Sequence, residues 1–346
     1  MSRASRVLTV FLFILLFAAP GLANVDVEAE RKLPPTVWTE AGLSGRVAWT
    51  AAPEEDYDVY FIDLHRGERG NVYAREGDYS SPALSPDGHT TAFIAEDEDW
   101  RGIMLVHLGP KADNRCPVRL NEVPEIEDGL SWSTDCERIY YYTREPADLA
   151  AVALFFDPEI IDPSLLERIG KLYYSDAVTG DVISQSLEPG DYFWPRHLGG
   201  FGVVCARREW EEDALRRLAY THDAGVTSDI ETPGDEVVGQ IKRYPDDTLL
   251  IPVMRDGELW YVRFEPRIAE IIAEAPAPPG FYHPVPDPVD AYCGWYLCQT
   301  APAGDPNSEL VFVRGLLGEC EWETLPLTDN DYYDGEPSWS RIDMGQ

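Results

Sequence analysis

A repeat constrains this 346-residue chain more than any other feature. A unit of four short strands recurs about every 45 residues, the period of propeller blades. It is clearest from Tyr79 to Ala95, where a strand ends in Ser85-Pro86-Asp87-Gly88 and a second, alternating strand follows. An acidic loop (Glu96 to Asp99), a third strand (Ile103 to Leu108) and a fourth (Pro117 to Leu120) complete the unit. It restarts at Gly129 to Tyr142, with Trp132-Ser133-Thr134-Asp135 in place of Leu84-Ser85-Pro86-Asp87. Weaker copies run from Tyr192 to Leu198 into Gly202 to Ala206, from Val237 to Tyr244 into Thr248 to Val253, and from Tyr282 to Pro286 into Ala291 to Gln299. The 28 prolines and 27 glycines punctuate runs of Val, Tyr, Phe and Trp, as strands separated by turns require. Helical periodicity is confined to Pro163 to Ile169 and Glu209 to Arg217.

The two ends of the chain are complementary. Gly335 to Ser340 copies the first strand of the unit with no second strand behind it. Gly45 to Thr50 is a second strand with no first, followed by a third (Asp58 to Leu64) and a fourth (Gly70 to Arg75). Joined, they make one blade and bring the count to six. The expected fold is therefore all-β: a six-bladed propeller of four-stranded antiparallel blades, closed by the C-terminal strand in the N-terminal blade. Such closure removes the exposed sheet edges that invite aggregation.

Ser81-Pro82-Ala83-Leu84-Ser85-Pro86-Asp87-Gly88, with the paired ends Glu336-Pro337-Ser338-Trp339-Ser340 and Asp58-Val59-Tyr60-Phe61-Ile62-Asp63-Leu64, resembles the TolB-type propeller repeat. The likeness is good in blades 1 and 2, fair in blade 3, and a matter of strand rhythm in blades 4 to 6. It implies a propeller that binds a partner at the mouth of its channel. Too few residues precede Gly45 for the N-terminal domain of that family, so a bare propeller is expected.

The first residues read as an export signal. Arg3 and Arg6 precede an apolar run from Val7 to Ala19, and small residues flank a cut after Ala23. The run is too short to span a bilayer, which takes about 20 residues. The expected division is a signal peptide over 1–23, a lead-in over 24–44 and the propeller over 45–346, working in the periplasm or outside the cell. Six cysteines survive cleavage and permit up to three disulfides in an oxidising compartment; Cys116 with Cys136 is the first pair to test.

The net charge of −34 argues against nucleic acid and anionic membranes as partners. It suits cationic partners or divalent ions, or it serves solubility alone. The chain is expected to be monomeric.

In a propeller, strand A is innermost, and the A–B and C–D turns share one face, here called lower. The B–C and D–A loops share the upper face. The Ser-Pro-Asp-Gly turns are lower and structural. On the upper face Asp78, Asp128, Asp191, Asp235 and Asp334 stand at or just before strand A in five blades, while blade 6 has Gly280-Phe281. The B–C loops Glu54 to Asp56, Glu96 to Asp99 and Glu211 to Asp213 add acid. These five aspartates are the candidate partner-binding residues: either a funnel for a cationic segment or for Ca2+, or turn residues separately solvated. An insertion over 144–171 in blade 3 falls beside this mouth, as a partner-binding lid or as a cover for a neighbouring blade.

Catalytic motifs are missing: there is no G-x-S-x-G, Walker loop or H-E-x-x-H. His197 and His283, on the inner strands of blades 4 and 6, are the only metal candidates. The leading expectation is an exported interaction propeller for a cationic protein or peptide, requiring no cofactor, with Ca2+ as an optional ligand. The alternatives are a channel-sited, metal-assisted lyase or hydrolase acting on carbohydrate or a small ester, and a structural propeller in an envelope assembly.

Overall fold

The computed structural model describes residues 35–53, 56–73, 75–108, 117–145, 169–184, 191–208, 215–221, 227–230, 235–291, 294–301, 305, 307–318, 320–330 and 332–342. Six antiparallel sheets follow one another in chain order, each ordered from an inner to an outer strand. Blade 1 contains β1 (Arg46–Ala52), β2 (Asp58–Asp63) and β3 (Glu68–Asn71), with β25 (Tyr333–Ser340) as its inner strand. Blade 2 is β4 (Asp78–Leu84), β5 (Thr90–Asp97), β6 (Trp100–His107) and β7 (Val118–Glu122). Blade 3 is β8 (Ser131–Trp132), β9 (Arg138–Glu145), β10 (Ile169–Asp176) and β11 (Val182–Ser184). Blade 4 is β12 (Asp191–His197), β13 (Val203–Arg208), β14 (Arg217–Thr221) and β15 (Thr227–Asp229).

In blade 5 the inner strand is broken into β16 (Glu236–Val237) and β17 (Lys242–Arg243). Both pieces pair with β18 (Leu249–Arg255), and β19 (Glu258–Glu265) and β20 (Glu270–Pro276) complete the blade. Blade 6 is β21 (Tyr282–Pro286), β22 (Trp295–Gln299), β23 (Leu310–Arg314) and β24 (Glu323–Pro326). The six-bladed count and the closure expected from the repeat are both present.

The two stretches expected to be helical lie mostly outside the described residues. Where they are described they are not helical: Ile169 opens β10, and Leu215 and Arg216 are irregular backbone leading into Arg217, which opens β14. Most of the 144–171 insertion lies outside as well, as do Glu54, Glu55 and Glu211 to Asp213.

The core is a ring of apolar layers between neighbouring blades. Phe61 of blade 1 meets Phe93 and Met104 of blade 2; Ile103 of blade 2 meets Ile139 and Tyr141 of blade 3. One cluster runs through blades 3, 4 and 5 (Tyr142, Val204, Leu249), and another joins blade 5 to blade 6 (Tyr261, Tyr296). The last, between blades 6 and 1, takes in Trp38 and Leu43 from the short helix α1 (Pro35–Glu40) and the turn after it. Each large apolar side chain buried in this way contributes about 1.5–3 kcal/mol.

The closing seam is paired on both sides of one bulge. β25 runs antiparallel to β1 from Arg46 opposite Ser340 to Ala52 opposite Tyr333. Gly45 (φ 96°) and Gly88 (φ 72°) pass so close to it that a Cβ would fall 2.2 Å from the Ser340 carbonyl oxygen and 2.3 Å from that of Arg341. Only glycine combines that backbone with that proximity.

The expected turn chemistry is there. Asp87 Oδ1 accepts from the Ser85 hydroxyl at 2.5 Å and the His89 N–H at 3.0 Å, and Asp135 is held the same way by Ser133 and Glu137. Among the described residues no helix is long and apolar enough to cross a membrane.

Candidate functional site

The inner strands share an irregularity that shapes the central channel. Ser81, Trp194, His283 and Glu336 have φ between 49° and 52°, and each precedes a proline. Each also sits at a shift in the pairing of strand A with strand B. Non-glycine residues at positive φ cost on the order of 1–3 kcal/mol and persist only where their surroundings fix them. In blade 3 the corresponding place holds Gly129 (φ 94°), and in blade 5 it is the break between β16 and β17. A bulge changes which side chains point inward.

Below this level lies a cavity of about 430 Å³, walled by the second halves of the inner strands and by the A–B turns. Its charged lining is Arg196, Lys242, Arg243 and Arg341 against Glu336 and Asp247. Trp132 and Trp339 also line it; their indole N–H groups are taken by the Ala83 and Ser44 carbonyls, each at 2.8 Å.

Arg196 is fixed by its Nε, which donates to the Ile241 carbonyl at 3.0 Å. Burial and then the neighbouring Arg243 lower it to about 9, so it stays charged at neutral pH. Lys242 Nζ donates to Gln240 Oε1 at 2.5 Å; burial, reinforced by Arg196, lowers it to about 7. Arg243 Nη1 lies 3.8 Å from Asp247 Oδ1 and is buried without a hydrogen-bond partner. At the upper end Glu336 Oε2 accepts from the Ser81 N–H at 2.7 Å and the Thr50 hydroxyl at 2.8 Å, while burial raises its carboxyl.

The five candidate aspartates differ in their surroundings. Asp78 is exposed and accepts the Tyr57 N–H at 3.2 Å. Asp128 is half-buried, accepting the Tyr142 hydroxyl at 2.8 Å and Gln240 Nε2 at 3.4 Å. The other three are buried. Asp191 takes Arg144 at 2.7 Å, Arg208 at 2.5 Å and the Gly170 N–H at 2.7 Å. Asp235 is bidentate with Arg255 at 2.9 and 2.6 Å. Asp334 accepts from Trp49 Nε1 at 2.8 Å and Asn330 Nδ2 at 2.6 Å, and burial raises it to about 7. These three tie loops to blades and present no open carboxylate.

The two histidines are not brought together. His197 is buried between blades, stacked on Tyr140, with Nδ1 3.3 Å from the Thr134 N–H. His283 has an exposed side chain on the inner strand of blade 6; desolvation by the surrounding protein, followed by Lys242, lowers its imidazole. No group of three or more His, Cys, Asp or Glu among the described residues could hold a metal ion. Cys136, Cys205, Cys298 and Cys320 are free thiols; Cys116 and Cys293 lie outside the described residues.

Sequence reasoning missed the cations on the inner strands, although Arg196 and Lys242-Arg243 were in view as basic residues on strands expected to face the channel. The cavity, in the lower half of the channel, is a feature separate from the upper face on which the sequence places its candidate aspartates.

No family model matches the sequence, and no curated protein does either. Among solved structures the chain is similar to TolB from Acinetobacter baumannii, with 14% identity, a TM-score of 0.62, and cover of 88% of this chain and 70% of that one. It is also similar to an oligogalacturonate lyase in complex with manganese, with 15% identity, a TM-score of 0.53, and cover of 78% and 70%. Hydrazine synthase from Kuenenia stuttgartiensis shares 11% identity with a TM-score of 0.59, over 86% of this chain and 47% of that one. At these identities the likeness is one of fold: a TolB-like six-bladed propeller.

Proposed function

We propose that this chain is an exported interaction propeller whose upper face takes a cationic segment of a partner protein or peptide. One observation carries the reading. Asp56, Glu76, Asp78, Glu98 and Asp99 are all exposed on the upper face of blades 1 and 2, and none is in an ion pair among the described residues. Their neighbours Glu96 and Asp97, by contrast, are neutralised by Arg101 and Arg119. Asp128 stands further in, where the loops meet the channel. Open carboxylates of one sign at the rim of a cleft raise the local concentration of a cationic ligand and speed its arrival.

The export signal at the N-terminus and the resemblance to a partner-binding repeat family point the same way. Ca2+, a hard cation that takes carboxylate oxygens, is the competing occupant of such a rim and is titrated in the same experiment.

The test is calorimetric titration of the intact protein with a lysine- and arginine-rich peptide at low salt, against a variant combining Asp78→Asn, Glu98→Gln and Asp99→Asn. Exposed charge pairs contribute about 0.2–1 kcal/mol each, so the triple variant is expected to bind about tenfold more weakly. Unchanged affinity sinks the electrostatic reading. Asp334 is left alone, because its substitution tests folding and not binding.

A further inference from the structure

We propose that the lower half of the channel is a second, separate binding site, for a small ligand carrying an oxyanion (a carboxylate or a phosphate), held by Arg196, Lys242 and Arg243.

Charge is segregated at this wall. The chain has 62 acidic and 28 basic residues, so a wall drawn at random from it is acidic. The cavity wall reverses that balance, with Arg196, Lys242, Arg243 and Arg341 set against Glu336 and Asp247. Asp247 is itself shared, lying 3.2 Å from Arg267 on the outer side.

The three inner cations are held without a close carboxylate partner among the described residues. Arg196 is anchored by a carbonyl and Lys242 by an amide oxygen, and neither has a carboxylate within ion-pair distance among the described residues. Arg243 reaches Asp247 only at 3.8 Å and leaves a buried N–H group without a partner. Burial and mutual repulsion both press these groups toward losing their protons. Partly buried like charges held by neutral acceptors are costly, and an anion between them removes that cost.

Shape agrees. Guanidinium forks match the paired oxygens of carboxylates and phosphates. A volume of about 430 Å³ falls within the range of about 300–1,000 Å³ typical of small-molecule sites. Trp132 and Trp339, with their indole N–H groups already satisfied, add apolar surface for the body of the ligand. Arg196 follows Pro195, and Tyr244 beside Arg243 is followed by Pro245, so the strands that carry the cations are stiff.

The experiment titrates the intact protein at fixed ionic strength with inorganic phosphate, with citrate and with glucose, by calorimetry and thermal shift. Saturable binding of phosphate or citrate with a Kd below about 1 mM, and none of glucose, is expected. Phosphate alone identifies a phosphate ligand, citrate alone a carboxylate, and both the shared oxyanion chemistry. The double variant Arg196→Gln, Lys242→Gln is expected to weaken binding at least tenfold, whereas Asp78→Asn leaves it unchanged.

A second readout needs no variant. Bound anion is expected to protect Lys242 from an amine-acylating reagent at least fivefold, measured by mass spectrometry. Absence of saturable binding, or binding that neither protects Lys242 nor weakens in the double variant, overturns the proposal. Neither result bears on the cationic peptide at the upper face, so the two readings fail separately.

Discussion

Asp191, Asp235 and Asp334 occupy equivalent places in the repeat, yet the groups around them differ. Asp191 is clamped by Arg144 from the preceding blade and by Arg208, which lies directly opposite it in the ladder. Removing one member of such a buried set strands the others, at a cost of about 3–5 kcal/mol. Asp191→Ala is expected to lower unfolding stability in urea by that order, while exposed Asp78→Ala changes it by less than about 0.5 kcal/mol. Asp334 is different, because its partners Trp49 and Asn330 are neutral. Burial raises it from 3.8 to about 7, so the folded state holds a proton that the unfolded chain releases near 4. Its contribution to stability is therefore fully present below about pH 4 and is lost as the pH rises through 7. Asp287, raised by burial to about 6, acts in the same direction. Wild-type protein is expected to melt at a lower temperature at pH 8 than at pH 5. Asp334→Asn flattens that dependence without abolishing it, and an unaltered pH profile in the variant refutes the assignment.

At the scale of strands and turns, the A–B turn can be tested through its glycine. Gly88 and Gly257 both adopt positive φ, at 72° and 81°, but a Cβ on Gly88 meets the Arg341 backbone whereas one on Gly257 meets nothing within 4 Å. Gly257→Ala therefore carries only the conformational cost, on the order of 1 kcal/mol. Gly88→Ala adds a clash and is expected to destabilise more; equal losses in chemical denaturation argue against the close approach. These turns were legible in the sequence because their chemistry is local: Ser85 and Asp87 satisfy each other and the turn backbone within a few residues. The blade count was legible for the same reason. The channel lining was not. Alternation along a strand says which side chains face inward only while the pairing register holds, and in β12 it slips between Phe193 and Arg196. After that slip Arg196 lines the cavity, while His197 packs between blades against Tyr140. The buried aspartates were opaque for another reason. Arg144 and Arg255 reach Asp191 and Asp235 through the packing of blades and strands, which no short motif encodes.

For the whole molecule the decisive contact is the one between the ends. β25 supplies the inner strand of blade 1, part of the cavity wall through Glu336, Ser338 and Trp339, and an edge-to-face ring contact between Trp339 and Phe312 at 5.1 Å. It also joins blade 1 to blade 2. The Ser340 hydroxyl donates to the Ser85 carbonyl at 2.7 Å, and Ser81 donates its N–H to Glu336. Deleting 333–346 removes all of these at once and leaves β1, with buried Val47 and Trp49, as an open edge. Exposed apolar edges of this kind pair with other chains. The truncated protein is therefore expected to elute as an aggregate in size-exclusion chromatography and to lose its cooperative thermal transition. A circular permutant separates loss of the strand from loss of its position in the chain. In it a flexible linker joins Ile342 to Pro35, and new ends are opened at Pro278–Pro279, in the connection between blades 5 and 6. Every strand is kept and the closure becomes covalent, so the permutant is expected to be monodisperse and to melt within a few degrees of the parent protein. A truncated chain that stays monomeric and melts at the parental temperature contradicts the account, because the ring would then close without its final strand.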